Sequence, residues 1–469
     1  MPAPIAIFWF RRDLRLTDNP ALHSAAAAGE VIPVYIHAPD EEPLPPGAAS
    51  RWWMHHSLAQ LGRSLEKLRS RLVLRAGDSV AILNELADET GARAVFWNRR
   101  CEPRVRERDE EVERALSERG VEVTTANGSS LISPWELSTK AGTPFRVFTP
   151  FWRAMQARCE VDKPRPVLAL RSPKSWPASQ GLASLDLLPR VNWTEGLAQS
   201  WTPGEQGAAK RMSAFQSAVG AYEEDRDLPS VEATSLLSPH LAFGEIGPRQ
   251  LWRTASSGRD AKAVEPWLRQ LGWREFAHYL LYHFPHTVST PMRPEFNRFP
   301  WRGCRSDLLK WQRGQTGYPL VDAGMRQLWH TGWMHSRVRM VVASFLVKHL
   351  LLPWQQGASW FWDTLVDADL ASNTLGWQWS AGCGADAAPY FRIFNPTSQG
   401  EKFDAAGDYV RRWVPELRGV PDRWIHRPWE APAPDLPSVG QPASAYPGPI
   451  VDHQFARRRA LDALGSLKR

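Results

Sequence analysis

Cysteine is scarce: four residues in 469, at positions 101, 159, 304 and 383. No two stand at metal-ligand spacing, so neither a thiolate zinc site nor an iron–sulfur cluster is expected. The same scarcity argues against a disulfide framework. No apolar run is long enough to span a membrane. The start, MPAPIAIFWFRRD, turns charged too early for a secretory leader, and a cytoplasmic protein is expected. No GxGxxG follows the first strand-like run, so a dinucleotide fingerprint is missing. There is no internal repeat and no long polar extension suited to a signalling tail.

What is present is a soluble composition, 43% hydrophobic and 23% charged. The length exceeds one ordinary core, so two or three domains are expected. A formal charge of +7 is compatible with nucleic acid but predicts only non-specific attraction. The 24 Trp are the unusual feature. Trp accumulates where packing, stacking or electron transfer requires it.

The first 132 residues alternate strand runs with helical patterns. IAIFWF, VIPVYIHA, RLVLRAG, RAVFWNR and VEVTTANG are the strands, and RWWMHHSLAQLGRSLEKLRS is one of the helices. This predicts an α/β domain with a doubly wound parallel sheet over 1–132. Pro- and Ser-bearing text predicts a connector over 133–205. From 206 to 469 the period is helical, as in AVEPWLRQLGWREFAHYLLYHF, giving an all-α second domain.

Two segments invite chemistry. In EATSLLSPHLAFGEI, Thr234, Ser235 and Ser238 place three hydroxyls before a helical run. They could suit a phosphate, but on their own the simpler reading is an ordinary helix N-cap. In DADLASNTLGWQW, Asp369, Asn373 and Trp377 are spaced by four and would share a helical face. Asp367 and Asp369 need partners or solvent if they are buried.

Taken together with FWFRRDLRLTDNPAL, WLRQLGWREF and TGYPLVDAGMRQLWHTGWMHSRVRMVVASFLVKHLL, these segments resemble the DNA photolyase and cryptochrome family over nearly the whole chain. The resemblance is closest to bacterial cyclobutane pyrimidine dimer photolyases, with some plant-cryptochrome-like text. It implies FAD in the helical domain. Tyr222 and Thr234, Ser235, Leu236, Leu237 and Ser238 match phosphate-binding positions, while Trp267 and Arg274 match the pocket lining. Arg339 and Asp367 match a salt bridge beside the isoalloxazine ring, Asp369 a further contact, and Asn373 the residue by flavin N5. An amide there can donate or accept. Trp377, Trp354 and Trp301 match a three-Trp electron path, and Trp354 and Trp377 have the expected separation of 23 residues. No metal is implied.

The resemblance further implies UV-damaged DNA as partner and a monomeric protein. Trp273 and Trp379 match the indoles that enclose a flipped dimer, and Gln270, Ser336, Arg337 and Met340 match neighbouring positions. Arg226, Arg392 and Gln399 complete the expected DNA-facing set. Two of these residues depart from the repair pattern. Gln270 stands where Glu is usual and Ser336 where Asn is usual, each change costing about 1 kcal/mol. A (6-4) photolyase would need paired histidines, and only His335 is present. A cryptochrome-like photoreceptor is the alternative, but plant cryptochromes generally lose the Trp that Trp273 retains. The segment NRRCEPRVRERDEEV, 98–112, lies where a methenyltetrahydrofolate or deazaflavin antenna would be held, or is a solvated charged helix.

Overall fold

The computed structural model describes residues 3–159, 161–386, 391–432 and 446–467. Residues 387–390 and the Pro-rich stretch 433–445 lie outside the described residues. Five parallel strands, β1 (Ile5–Phe10), β2 (Glu30–His37), β3 (Val73–Ala76), β4 (Ala94–Asn98) and β5 (Glu122–Ala126), form a sheet ordered β3-β2-β1-β4-β5. Each coincides with a predicted run to within two residues. The pairing is in simple register, with Trp9 opposite Val34 and Phe8 opposite Phe96.

Burial explains the strand text. A parallel sheet is covered on both faces, so its strands read as continuous apolar runs. Ile7, Trp9, Ile32, Val34, Val95 and Trp97 belong to one core with Leu83 and Leu86. The crossover helices are α1 (Pro20–Ala28), α2 (Ala48–Lys67), α3 (Ser79–Thr90) and α4 (Pro103–Glu118). Helix α1 starts where it does because Pro20 fixes its first turn and the Asn19 side chain accepts from the Leu22 N–H. The chain order reverses between β1 and β4, the place where open α/β sheets carry ligands beyond their strand ends.

Helix α5 (Phe148–Arg158) follows, then a mostly irregular stretch holding only short helices such as Glu195–Ser200. The remainder is helical. Its contacts divide the chain into two units. One comprises Met1–Gly220, Ser235–Pro285 and Val366–Ala371, the other Ala221–Thr234, His286–Leu365 and Ser372–Arg469. Among the described residues, no helix is long and apolar enough to cross a membrane.

Candidate functional site

The TSLLS segment, of which Ser235 to Ser238 lie in the first unit, takes an uncommon backbone. Leu236 sits at φ 52°, and Leu237 follows at φ −93°, ψ −4°. A left-handed residue before a right-handed one turns successive N–H groups toward one side, a concavity suited to an anion. A γ-branched residue is seldom held at positive φ without reason. The N-cap of the short helix Ser238–Ala242 is Leu237, which has no capping side chain. The hydroxyls therefore do not cap this helix. Ser238 Oγ instead donates to Asp367 Oδ2 at 2.6 Å.

Asp367 is only 9% exposed, so that hydroxyl replaces part of its lost hydration. Asp369 receives His278 Nε2 at 3.1 Å. Asp369 also stands just before the helix Leu370–Ala381, not within it. The helical face predicted for Asp369, Asn373 and Trp377 thus holds for the last two alone. His278 was not anticipated from the sequence, although a signal existed. It lies one turn after Arg274 on the helix Ala261–His283 and shares its face. Arg274 donates to the Ser129 carbonyl at 2.9 Å and pairs with the buried Glu275 at 3.2 Å. Trp267 is buried against Phe215.

Trp273 stacks on Phe148, ring centroids 3.7 Å apart and planes within 7°. The indole is half-buried, so one face is fixed by Phe148 and the ring remains accessible. Phe148 was not anticipated: it arrives from α5, far away in sequence. On the same helix as Trp273, Gln270 Nε2 donates to the Pro266 carbonyl at 3.3 Å.

The second unit holds the Trp series. Trp377 is 2% exposed and Trp354 1%, while Trp301 is half-exposed. The six-membered ring of Trp377 lies directly on Gly357, where an added Cβ would meet Cη2 at 2.1 Å. Trp354 lies three residues before Gly357 in the helix Trp354–Thr364, and hence on the same face. The Arg302 N–H donates to the Leu351 carbonyl at 2.7 Å, which brings Trp301 alongside the start of that helix. The three side chains thus range from buried to half-exposed, with Trp377 resting on the helix that carries Trp354. Asn373, one turn before Trp377, donates through Nδ2 to the Ala358 carbonyl at 3.0 Å. That bond turns Oδ1, an acceptor, the other way.

Other residues expected at the site also lie in this unit. Tyr222 is buried, with the Arg226 guanidinium 5.8 Å from its ring, and burial raises its phenol. Arg337 pairs with Asp227 and lies over Phe403. Arg339 Nε donates to the Met334 carbonyl at 2.7 Å. Ser336 is exposed at the start of the helix Ser336–Ser344, and Met340 and Trp379 are half-buried. Arg392 is exposed, whereas Gln399 keeps a buried Oε1 without a hydrogen-bond partner. His335 is buried, and its imidazole is pushed down to about 4 by that burial. Arg339 and Asp367 belong to different units, and the ion pair between them rests on the resemblance.

A separate cavity of about 460 Å³, open solvent included, lies beyond the strand ends of the first unit. Its lining includes Trp9, Arg12, Tyr35, Glu42, Arg100 and Arg108. Burial alone would raise the Glu42 carboxyl, but bidentate pairing with Arg100, helped by Arg12 and Arg108, holds it at about 2. Of this lining, the sequence pointed only to the 98–112 segment. Among the described residues, no group of three or more metal-ligating side chains occurs.

Comparison with known proteins decides the family. A family model described as DNA photolyase matches residues 6–169, and one described as the FAD binding domain of DNA photolyase matches 267–466. A deoxyribodipyrimidine photo-lyase of Agrobacterium fabrum is 50% identical over 476 residues, 100% of this chain and 98% of the relative. The chain belongs to the DNA photolyase family. A solved bacterial class III photolyase from Agrobacterium tumefaciens has a TM-score of 0.95 and 48% identity, covering 100% of this chain and 98% of that one. Cryptochrome-1 of Arabidopsis thaliana is 40% identical, covering 98% of this chain and 70% of the relative. Proteins named cryptochromes therefore stand beside photo-lyases among this chain's relatives.

The residues of this chain fit FAD. The Leu236–Leu237 concavity offers backbone N–H groups to a phosphate, and half-buried Thr234 and Ser235 add hydroxyls. In the first unit, Asp367 and Asp369 supply acceptors suited to the N–H and hydroxyl groups of a flavin nucleotide.

Proposed function

We propose that the chain is a blue-light-driven deoxyribodipyrimidine photo-lyase, a carbon–carbon lyase acting on cyclobutane pyrimidine dimers in UV-damaged DNA. The observation that carries this reading is Trp273, half-accessible and held flat by Phe148. A flipped dimer needs such a platform to replace the stacking it gives up. The full-length identity to an Agrobacterium photo-lyase supports it.

Bound, FAD supplies the light-absorbing centre and the electron lent to the dimer. Thr234, Ser235, Leu236, Leu237 and Ser238 hold its phosphates, with Tyr222. Trp267 and Arg274 line its pocket. Asp367, Arg339 and Asp369 fix the ring system, and Ser238 and His278 keep the two carboxylates oriented. Asn373 presents Oδ1 because Nδ2 is engaged by Ala358. An acceptor in this place receives an N–H. Trp377, Trp354 and Trp301 carry electrons inward from the surface. Trp273 and Trp379 enclose the dimer, with Met340, Gln270, Ser336 and Gln399 around it. Arg226, Arg337 and Arg392 meet phosphates, so binding weakens with salt. The cavity lined by Trp9 and Glu42 takes an antenna chromophore, methenyltetrahydrofolate or a deazaflavin, and the buried Trp9 N–H, which has no partner, borders it. Domain limits of 1–132, 133–205 and 206–469, a monomer and a cytoplasmic setting complete the proposal.

A second reading, a cryptochrome-like photoreceptor, is favoured by Gln270 and Ser336, which leave the substrate side less polar than the repair pattern. The deciding experiment uses protein with fully reduced FAD, blue light and an oligonucleotide with one defined dimer. Repair with preference for damaged over intact DNA is expected. No repair with dimer in excess would promote the photoreceptor.

A further inference from the structure

Lys348 is 4% exposed, deep for an ammonium group. It lies in a π-helical turn, Phe345–His349, that continues the helix Ser336–Ser344 and is buried throughout. The groups that act most on its charge are Arg392 and Cys383, neither of them a carboxylate. Its ammonium instead donates to the Arg392 carbonyl and stands 4.4 Å from the centre of the Phe391 ring. Burying a cation is costly unless it is matched, so this contact must be worth keeping.

The segment it grips is held elsewhere as well. The Phe394 N–H donates to Ser344 Oγ at 3.3 Å. The Phe391 ring packs on Gly382, whose φ is +85° and where a Cβ would come within 3.0 Å of the ring. The backbone of 391–394 is thus tied down, while the Arg392 side chain stays exposed. We propose that Lys348 is a positioning residue for DNA binding, clamping the Phe391–Arg392 backbone so that the Arg392 guanidinium is presented to a phosphate. This rests on the repair reading above, in which Arg392 meets DNA.

Charge makes the clamp titratable. Burial first, and the Arg392 charge second, lower the Lys348 ammonium to about 7. Below that pH the group is charged, and both the charge-assisted hydrogen bond and the cation–π contact are in place. Above it the bond to the carbonyl is roughly halved in strength and the cation–π contact is gone. DNA affinity therefore falls as pH rises through 7. The other ionisable groups here are Cys383, raised to about 12 by burial, with Arg293 and Glu295 near it. His349, next in the turn, is lowered by burial to about 3, with His453 and Arg459 of the C-terminal helix beside it. Both Cys383 and His349 titrate far from neutrality and do not account for a transition near 7.

The test is dark binding of FAD-loaded, full-length protein to a dimer-bearing oligonucleotide, read by fluorescence anisotropy. Lys348→Met should weaken binding about fivefold at pH 6. In an Arg392→Ala background the same change should cost less than about twofold, since it acts through Arg392. The wild-type loss between pH 6 and 8 should be absent in Lys348→Met. Lys348→Arg, which stays charged, should also give a flat profile, and it serves if the Met variant does not fold. Additive losses in the double variant, or an unchanged pH profile in both single variants, would overturn the clamp. Dimer binding by the wild type that Lys348→Met leaves intact overturns the clamp alone. A wild type that binds no dimer overturns the repair reading together with it.

Discussion

Gly357→Ala isolates the contact between Trp377 and the helix that carries Trp354. The added methyl would stand 2.1 Å from Trp377 Cη2, 2.3 Å from Cζ3 and 2.6 Å from Leu346 Cδ2. Favourable carbon contacts begin near about 3.5 Å. The indole cannot simply swing away. It is 2% exposed and lies edge-on to Phe361 at 5.0 Å and to Trp311 at 6.2 Å. Overpacking of this kind costs about 1–3 kcal/mol. Replacing a helical Gly with Ala returns about 1 kcal/mol of propensity. The net destabilisation is therefore about 0–2 kcal/mol, and the protein should still fold and hold FAD.

Electron delivery should suffer more than stability does. Trp377 rests on the helix that carries Trp354, so displacing its ring disturbs the proposed path, and tunnelling between aromatic groups is steep in distance. Urea denaturation measures the first quantity, and the rate of blue-light reduction of bound oxidised FAD measures the second. The expected pattern is a small loss of stability with markedly slower photoreduction. Wild-type photoreduction in a folded Gly357→Ala protein would refute the proposed track, because the ring it displaces would then be irrelevant.

Trp377→Phe should stop or greatly slow the same photoreduction while preserving FAD content, since Phe keeps the packing but is far harder to oxidise. Ser238→Ala removes the 2.6 Å hydrogen bond to buried Asp367; a hydrogen bond to a charged group contributes about 1.5–3 kcal/mol, so FAD released at equilibrium should rise about tenfold, and unchanged retention would take Ser238 and Asp367 out of the site. For Glu42 the folded carboxyl at about 2 lies below its ordinary value of 4.5. The stabilisation, at most about 3 kcal/mol, is present above pH 4.5 and lost as pH falls through 2. The stability gap between wild type and Glu42→Gln should therefore shrink on acidification below pH 4.5, as followed by denaturant titration.

The sheet was legible because β1, β2 and β4 are buried on both faces, so each of their apolar runs marks one strand; the edge strand β5 is read from its β-branched residues. The site was legible only as motifs. Ser238 reaches Asp367 across 129 residues, and His278 reaches Asp369 across 91; no local pattern encodes such pairs. The hydroxyl cluster looked like a helix cap because composition cannot show that Leu237, not a Ser, occupies the N-cap. The period of four that grouped Asp369 with Asn373 failed because the helix begins at Leu370. The cavity around Glu42 was invisible for another reason. Its walls come from the ends of β1 and β2, the segments that follow β1, β2 and β4, and helices α2 and α4, each unremarkable alone. His278 differs from these, since counting one turn on from Arg274 would have found it.

The two departures, Gln270 and Ser336, bear differently on the choice between repair and sensing. Gln270 Nε2 is turned to the Pro266 carbonyl on its own helix. A Glu could not make that bond as an acceptor-only carboxylate, so Gln here is partly a helix-surface residue, and Oε1 is its one remaining acceptor. Ser336 is exposed at a helix start, where its hydroxyl has room to meet a substrate but a shorter reach than Asn. In the repair reading both changes subtract polar contacts to a bound dimer. Neither touches the stacking of Trp273 on Phe148. Since stacking is worth about 1–3 kcal/mol per base and each polar contact about 1 kcal/mol, the platform outweighs either loss. In the repair reading Trp273 is the side chain expected to contribute most to holding the dimer, so its retention favours repair over sensing.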